Sequence, residues 1–350
     1  MTGKEKVINV LNGELNEVQP CFDIIRNDSI VEYYTGEKLT YENGSKLVGI
    51  AAAKALDGTR GFLRVPKPEK VEIMPDGRKS ATYRWTNWVE DVKYRNSDHY
   101  ADVKSRIIQG DLITEDDKNN FGKLIDMYFN TQDTYLKDSA YFWQVGGYLN
   151  NAFAQVYNEI GMEEFLYIYS DAPELIIDLV NFNLERAAKM VDLIAEEKKP
   201  FGIFYADDMA YKSGPLINPS FFNKGYYKGL KKLVDAIHGR GMYVMFHSDG
   251  CLYQMLDGLI DTGIDFLNPI EIMAGMDIKK IHDRYPKIVM AGGIDVSELL
   301  PYGKPEDIKR AVRKAIGDSE GKILVGSSTE LHSEVPLENF LAMKGALANR

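Results

Sequence analysis

Short apolar runs alternate with longer amphipathic stretches through the second half of the chain. The runs are FGIFYA (201–206), MYVMFH (242–247), IDFLNP (264–269), KIVMAGGID (287–295) and KILVGSS (322–328). Between them apolar residues return every three to four positions, the period of a helix buried on one face. FFNKGYYKGLKKLVDAIHGRG (221–241) is one such stretch and closes on a Gly-Arg-Gly stop, and CLYQMLDGLIDTG (251–263) is another. PEDIKRAVRKAIGD (305–318) opens on Pro305 and carries Glu306 and Asp307 at its positive dipole end. Strand–helix alternation of this kind predicts βαβ units and a parallel sheet.

The first half is less regular. Residues about 3–12 predict an amphipathic helix, and CFDIIRN (21–27) a first strand. VEIMPDGRKSATYRWTNWVEDVKYR (71–95) places Asp76-Gly77 between two alternating segments, a hairpin signal that marks an antiparallel excursion from the barrel. Residues 113–139 predict a helix capped in the Thr114–Asp117 region, AYFWQVGG (140–147) a strand, and 173–199 a long helix. Strand candidates near 21, 60–65, 140, 201, 242, 264, 287 and 322 number eight. Eight strands with helices between them predict an α/β fold, a (β/α)8 TIM barrel forming one domain over 1–350, with N-terminal helical and β-hairpin elaborations within about 1–135. A doubly wound sheet competes, but no GxGxxG follows any strand.

Charge and composition narrow the function. Lys and Arg number 42 against 52 Asp and Glu, a net charge of −10, which disfavours nucleic acid as a partner. Cys21 and Cys251 are the only cysteines, which excludes a disulfide framework and any cysteine-rich metal site and fits a reducing cytoplasm. No apolar run approaches the roughly 20 residues that cross a bilayer. The N-terminal MTGKEKVINVLNGEL lacks the apolar core of a signal peptide.

Polar residues gather just after the apolar strand cores, where a barrel builds its active site. Asp207-Asp208 follow the 201 run, His247-Ser248-Asp249-Gly250 the 242 run, Asn268-Pro269 and Glu271 the 264 run, Asp295 the 287 run, and Glu330 and His332 the 322 run. Asp207-Asp208 fit a helix cap equally well, Asp295 fits one better, and Asn268-Pro269 also fits a turn. His247 with Asp249 two residues on has ligand-like spacing at a strand end.

Three blocks carry a family resemblance: YADDMAYKSGPLINPSFFNKGYYKGLKKLVDAIHGRG, the segment from HSDGCLYQ to MAGGID, and ILVGSSTELHSEVPLENFLAM, together covering roughly 200–345. They resemble the uroporphyrinogen decarboxylase superfamily, which implies a (β/α)8 barrel. The decarboxylase branch has an Arg-Gln-Ala-Gly-Arg motif, absent here, where Ile25-Arg26-Asn27-Asp28 follows the first strand, and its late histidine falls at Thr329. The acidic balance and few arginines at the strand ends argue against a porphyrinogen with eight carboxylates.

The branch of corrinoid-dependent methyltransferases is the better match. Its zinc-thiolate members carry His-x-Cys and a later Cys. Here His247 matches the histidine, but Asp249 and Thr329 stand at the cysteine positions. The resemblance therefore implies transfer of a methyl group between a small donor, of methoxyaromatic or methylamine type, and a corrinoid carried by a separate corrinoid-binding protein. His247, Asp249 and Glu330 would hold a zinc ion through nitrogen and oxygen, or act without metal as acid–base groups. Asp207, Asp208 and Glu271 would orient the donor or move protons, and Cys251 reads as a packed thiol. Trp143, Tyr148, Tyr205, Tyr211, Asn268 and His332 complete the candidate substrate wall. Two alternatives stay open: a lyase acting on a smaller carboxylate, and a non-catalytic binding barrel.

Overall fold

The computed structural model describes residues 1–75, 77–90, 105, 109, 112–149 and 151–348. The first strand, β1 (Gly58–Arg60), is short, because Gly61 adopts φ 65° and turns the chain away where the sequence predicted a run to 65. An antiparallel sheet follows, of β2 (Lys70–Ile73), β3 (Lys79–Thr82) and β4 (Asn87–Glu90), as the hairpin signal predicted. Gly77 in the β2–β3 turn takes φ 85°, whereas Asp76 and residues 91–95 of the predicted excursion lie outside the described residues. Arg84 and the Trp85 indole fasten this sheet to Asp28 at 2.6–3.0 Å.

The remaining strands are β5 (Ala140–Trp143), β6 (Gly202–Ala206), the small hairpin β7 (Ala210–Tyr211) and β8 (Gly214–Pro215), then β9 (Tyr243–His247), β10 (Phe266–Ile270), β11 (Val289–Ile294) and β12 (Ile323–Ser327). Seven of them form a parallel sheet in the order β1-β5-β6-β9-β10-β11-β12. Residues 20–23 close it. Phe22 N–H donates to Val325 O at 2.9 Å on one side, and Gly58 N–H donates to Cys21 O at 3.1 Å on the other. This eighth stave lies so close to β12 that a Cβ on Gly326 would stand 1.8 Å from the Phe22 carbonyl oxygen. The (β/α)8 expectation is met.

Strand alternation sorts the side chains. Phe22, Phe142, Phe204, Met245, Phe266 and Leu324 fill the barrel interior. Tyr141, Trp143, Ile203, Tyr205 and Phe246 belong instead to the core between strands and helices. The predicted helices form with local adjustments. Thr2–Glu5 and Thr114–Asp117 make capping boxes on Gly3–Asn12 and Glu115–Thr131. The 221–241 stretch divides at Gly225 into a 3-10 turn and the helix Tyr226–Gly239, and in 251–263 only Leu256–Asp261 is helical. Among the described residues no helix is long and apolar enough to cross a membrane.

Candidate active site

At the carboxyl ends of the strands the inward positions turn polar. Parallel register puts His247 beside Ala206 on one side and Asn268 on the other. The Asn268 amide donates to Ala291 O at 3.3 Å, which turns its Oδ1 to His247 Nδ1 at 2.8 Å. Nδ1 thereby donates to Asn268, and Nε2 faces the mouth. Nε2 lies 3.8 Å from Oδ1 of Asp208 and 3.8 Å from Oδ1 of Asp249. The ligand atoms of these three residues all lie within 4.8 Å of one another.

His247 is only 6% exposed, whereas the two carboxylate side chains are about half-exposed. Asp249 Oδ1 is nevertheless turned inward and accepts no hydrogen bond. Burial pushes the Asp249 carboxyl up, the His247 imidazole pulls it back, and the charges of Asp208 and Glu271 push it up again. Backbone contacts hold the loop: Asp249 N–H donates to Asp208 Oδ1 at 3.3 Å and Gly250 N–H to Glu271 Oε2 at 2.8 Å. The Tyr157 hydroxyl donates to the Asp208 carbonyl at 3.0 Å, a contact from helix Ala152–Ile160 that no sequence signal marked.

Beside this group stand charges that the sequence reading passed over. Arg60 ends β1 with its guanidinium 4.2 Å above the Phe204 ring, and that ring is 5.0 Å from the imidazole of His247. Arg26 pairs with Glu330, and Arg64 is close enough to oppose the charge on both Arg26 and Arg60. The expectation of few arginines at the strand ends is thus corrected, since the short N-terminal staves deliver three.

Buried Asp23 accepts from Ser327 N–H at 2.8 Å, Ser327 Oγ at 2.9 Å and Ile24 N–H at 2.9 Å. Burial pushes its carboxyl from 3.8 up to about 6, although these bonds and Arg60 pull it down. A raised carboxyl contributes stability that is complete below about pH 4 and is lost as pH rises through about 6. Thermal melts from about pH 4 to about pH 7 should therefore show a steeper loss in the wild type than in Asp23→Asn. Parallel curves would refute this assignment.

Several predicted site residues have other roles. Glu330 is bound to Arg26 and is not part of the close group, and Asp208 takes its place as the third candidate ligand. Asp207 is fully buried and accepts from Phe153 N–H at 3.0 Å and Ala154 N–H at 2.6 Å, so it caps helix Ala152–Ile160, the alternative its sequence position allowed. Trp143 and Tyr205 face outward because Phe142 and Phe204, their neighbours, face inward. The Tyr205 hydroxyl accepts from Ala152 N–H at 3.2 Å. Tyr148 packs its ring against Arg186 at 4.7 Å. Tyr211 is 59% exposed on the β7–β8 hairpin, where its carbonyl accepts from Cys251 N–H at 2.9 Å. Cys251 is half-buried against the core, as expected of a packed thiol. Both ring nitrogens of His332 are engaged, Nε2 with Val296 O of the loop after β11 at 3.0 Å and Nδ1 with Glu334 N–H of its own loop at 3.3 Å. Asp295 caps the turn at 297–299, as its position suggested.

Residues 152–349 match the sequence model of the uroporphyrinogen decarboxylase (URO-D) family, more than half of the chain. The chain belongs to the uroporphyrinogen decarboxylase family. Over 154 residues this family member is 28% identical to the methylcobamide:CoM methyltransferase MtbA of Methanosarcina mazei. It is 28% identical, again over 154 residues, to the MtbA of Methanosarcina acetivorans. These stretches cover 44% of the chain and 42% of each relative, so the chain spans less than half the length of the curated relatives it matches. A solved structure described as a methyltransferase from Methanosarcina mazei superposes with a TM-score of 0.71 at 15% identity, covering 99% of this chain and 98% of that one, and so has the same fold.

Proposed function

We propose that this member of the uroporphyrinogen decarboxylase family is a methyltransferase that moves a methyl group between a small compound and the corrinoid of a separate protein in the cytoplasm. The observation that carries this reading is the His247–Asp208–Asp249 group at the barrel mouth, with Asp249 Oδ1 buried and unbonded. An inward carboxylate oxygen without a hydrogen bond calls for a cation or a proton donor. The donor set, one imidazole nitrogen and two carboxylate oxygens, fits zinc or a similar divalent cation with a position left open. Bound there, the ion would supply Lewis acidity to the heteroatom that gains or loses the methyl group.

The rest falls to the chain's own side chains. Asn268 fixes the His247 tautomer, and Tyr157 and Glu271 hold the backbone on which Asp208 and Asp249 ride. In the metal-free alternative the raised Asp249 carboxyl would instead hold a proton close to the reacting heteroatom. Incubation with reduced corrinoid proteins and a panel of methoxy, methylthio and methylamino compounds should methylate cobalt, seen as a change in corrinoid absorbance. Buried Arg60 favours a second reading, a lyase acting on a small carboxylate. Carbon dioxide release without any corrinoid would support that reading over methyl transfer.

A further inference from the structure

The antiparallel sheet inserted after β1 has the order β2-β3-β4, so among the described residues one side of β2 has no neighbouring strand. All four residues of β2 are exposed, and its apolar side chains stand open, Val71 at 65% and Ile73 at 69%. Backbone alternation decides which groups face the free side. Met74 N–H donates to Arg78 O at 2.8 Å across the β2–β3 turn, so Glu72 and Lys70, two and four residues back, also turn their backbone toward β3. Val71 and Ile73 turn theirs outward, a row of donors and acceptors ready for another strand. Pro68 and Pro75 bound the open stretch and keep a seam there from running on.

We infer that β2 is the pairing edge for a second copy of this chain, the two β2 strands running antiparallel about a two-fold axis through Val71. Charge and proline select this register among those centred on residues 70 to 73. Centred on Lys70 or on Glu72, like charges meet across the seam. Centred on Ile73, Val71 faces Pro75, which has no N–H to give. Centred on Val71, Lys70 of each copy faces Glu72 of the other, once on each side of the axis. Val71 then meets its own counterpart in a hydrogen-bonded pair, and Ile73 exchanges bonds with Glu69 of the other copy. Within each copy Val71 is in register with Ala81, and Ala81 with Trp88. One apolar row therefore crosses all six strands, from one exposed Trp88 to the other.

The pairing is independent of the reaction at the mouth and is tested without it. So short a seam is smaller than a standard interface, which makes the dimer concentration-dependent. Sedimentation velocity on the full chain should show a monomer–dimer equilibrium in the micromolar range. Val71→Pro removes an outward N–H and leaves the β3 side alone, so it should abolish the dimer with the fold intact by circular dichroism. Lys70→Glu sets two carboxylates against each other on each side of the axis and should weaken association tenfold or more. Adding Glu72→Lys to Lys70→Glu restores opposite charges and should restore the dimer, and this charge exchange carries the comparison if Val71→Pro does not fold. A monomer at every concentration, a dimer indifferent to a folded Val71→Pro, or no recovery on the double exchange overturns the inference.

Discussion

His247→Ala should lower methyl transfer by about a thousandfold, roughly 4 kcal/mol of transition-state stabilisation. The size follows from how much depends on one ring. His247 Nε2 is the atom that faces both Asp208 and Asp249, at 3.8 Å each. Its removal leaves the two carboxylates without the ring nitrogen that both approach. Divalent-cation affinity, read by calorimetry on the metal-stripped protein, should fall at least tenfold with it. Asn268→Ala should cost less, roughly 10- to 100-fold, because the ring stays but loses the partner that fixes its tautomer. As a positioning residue, Asn268 should also move the pH profile of turnover, a shift that a packing defect would not produce. Folded His247→Ala with undiminished transfer would remove the mouth group from the mechanism.

The barrel was legible because its later strands are apolar cores closed by polar tips, and the tips point to the mouth. His247 and Asp208-Asp249 could be found that way, since a strand end is a position readable in one dimension. Arg60 could not. β1 has three residues, too few to show a period, and its place in the barrel comes from contacts with β5 and with residues 21–23. Arg26 and Glu330 lie at opposite ends of the chain, so their pairing exists only once the barrel closes. Trp143 and Tyr205 illustrate a further limit. Alternation says that neighbours face opposite sides but not which side is inside, and a shift of one residue exchanges the two sets. Asp207 and Asp208 were one signal in the sequence, and strand parity splits them into a buried cap and a group at the mouth.

That split makes the second large prediction. Asp207→Ala should destabilise the fold by about 3–5 kcal/mol, measured by urea denaturation. The carboxylate has no solvent contact and gathers donors from three elements. Phe153 and Ala154 supply the free N–H groups at a helix start, Tyr226 donates its hydroxyl at 2.8 Å, and Tyr205 of β6 donates its hydroxyl at 3.4 Å. Alanine would strand all of these donors inside the protein, where an unmade hydrogen bond costs about 1–3 kcal/mol each. Asp207→Asn keeps one acceptor oxygen and should lose about half as much. Variants that remain folded below the transition should retain substantial methyl transfer, because the Asp207 carboxylate is engaged by Phe153, Ala154 and Tyr226, and its contact with His247 is made by the backbone N–H, which every variant keeps. Lost turnover at unchanged stability would reverse this and return Asp207 to the chemistry. Helix Ala152–Ile160 gives the test its reach, since it also carries Tyr157, whose hydroxyl holds the Asp208 carbonyl. A frayed helix start would loosen that hold, so modest losses of turnover in Asp207→Ala should track its loss of stability.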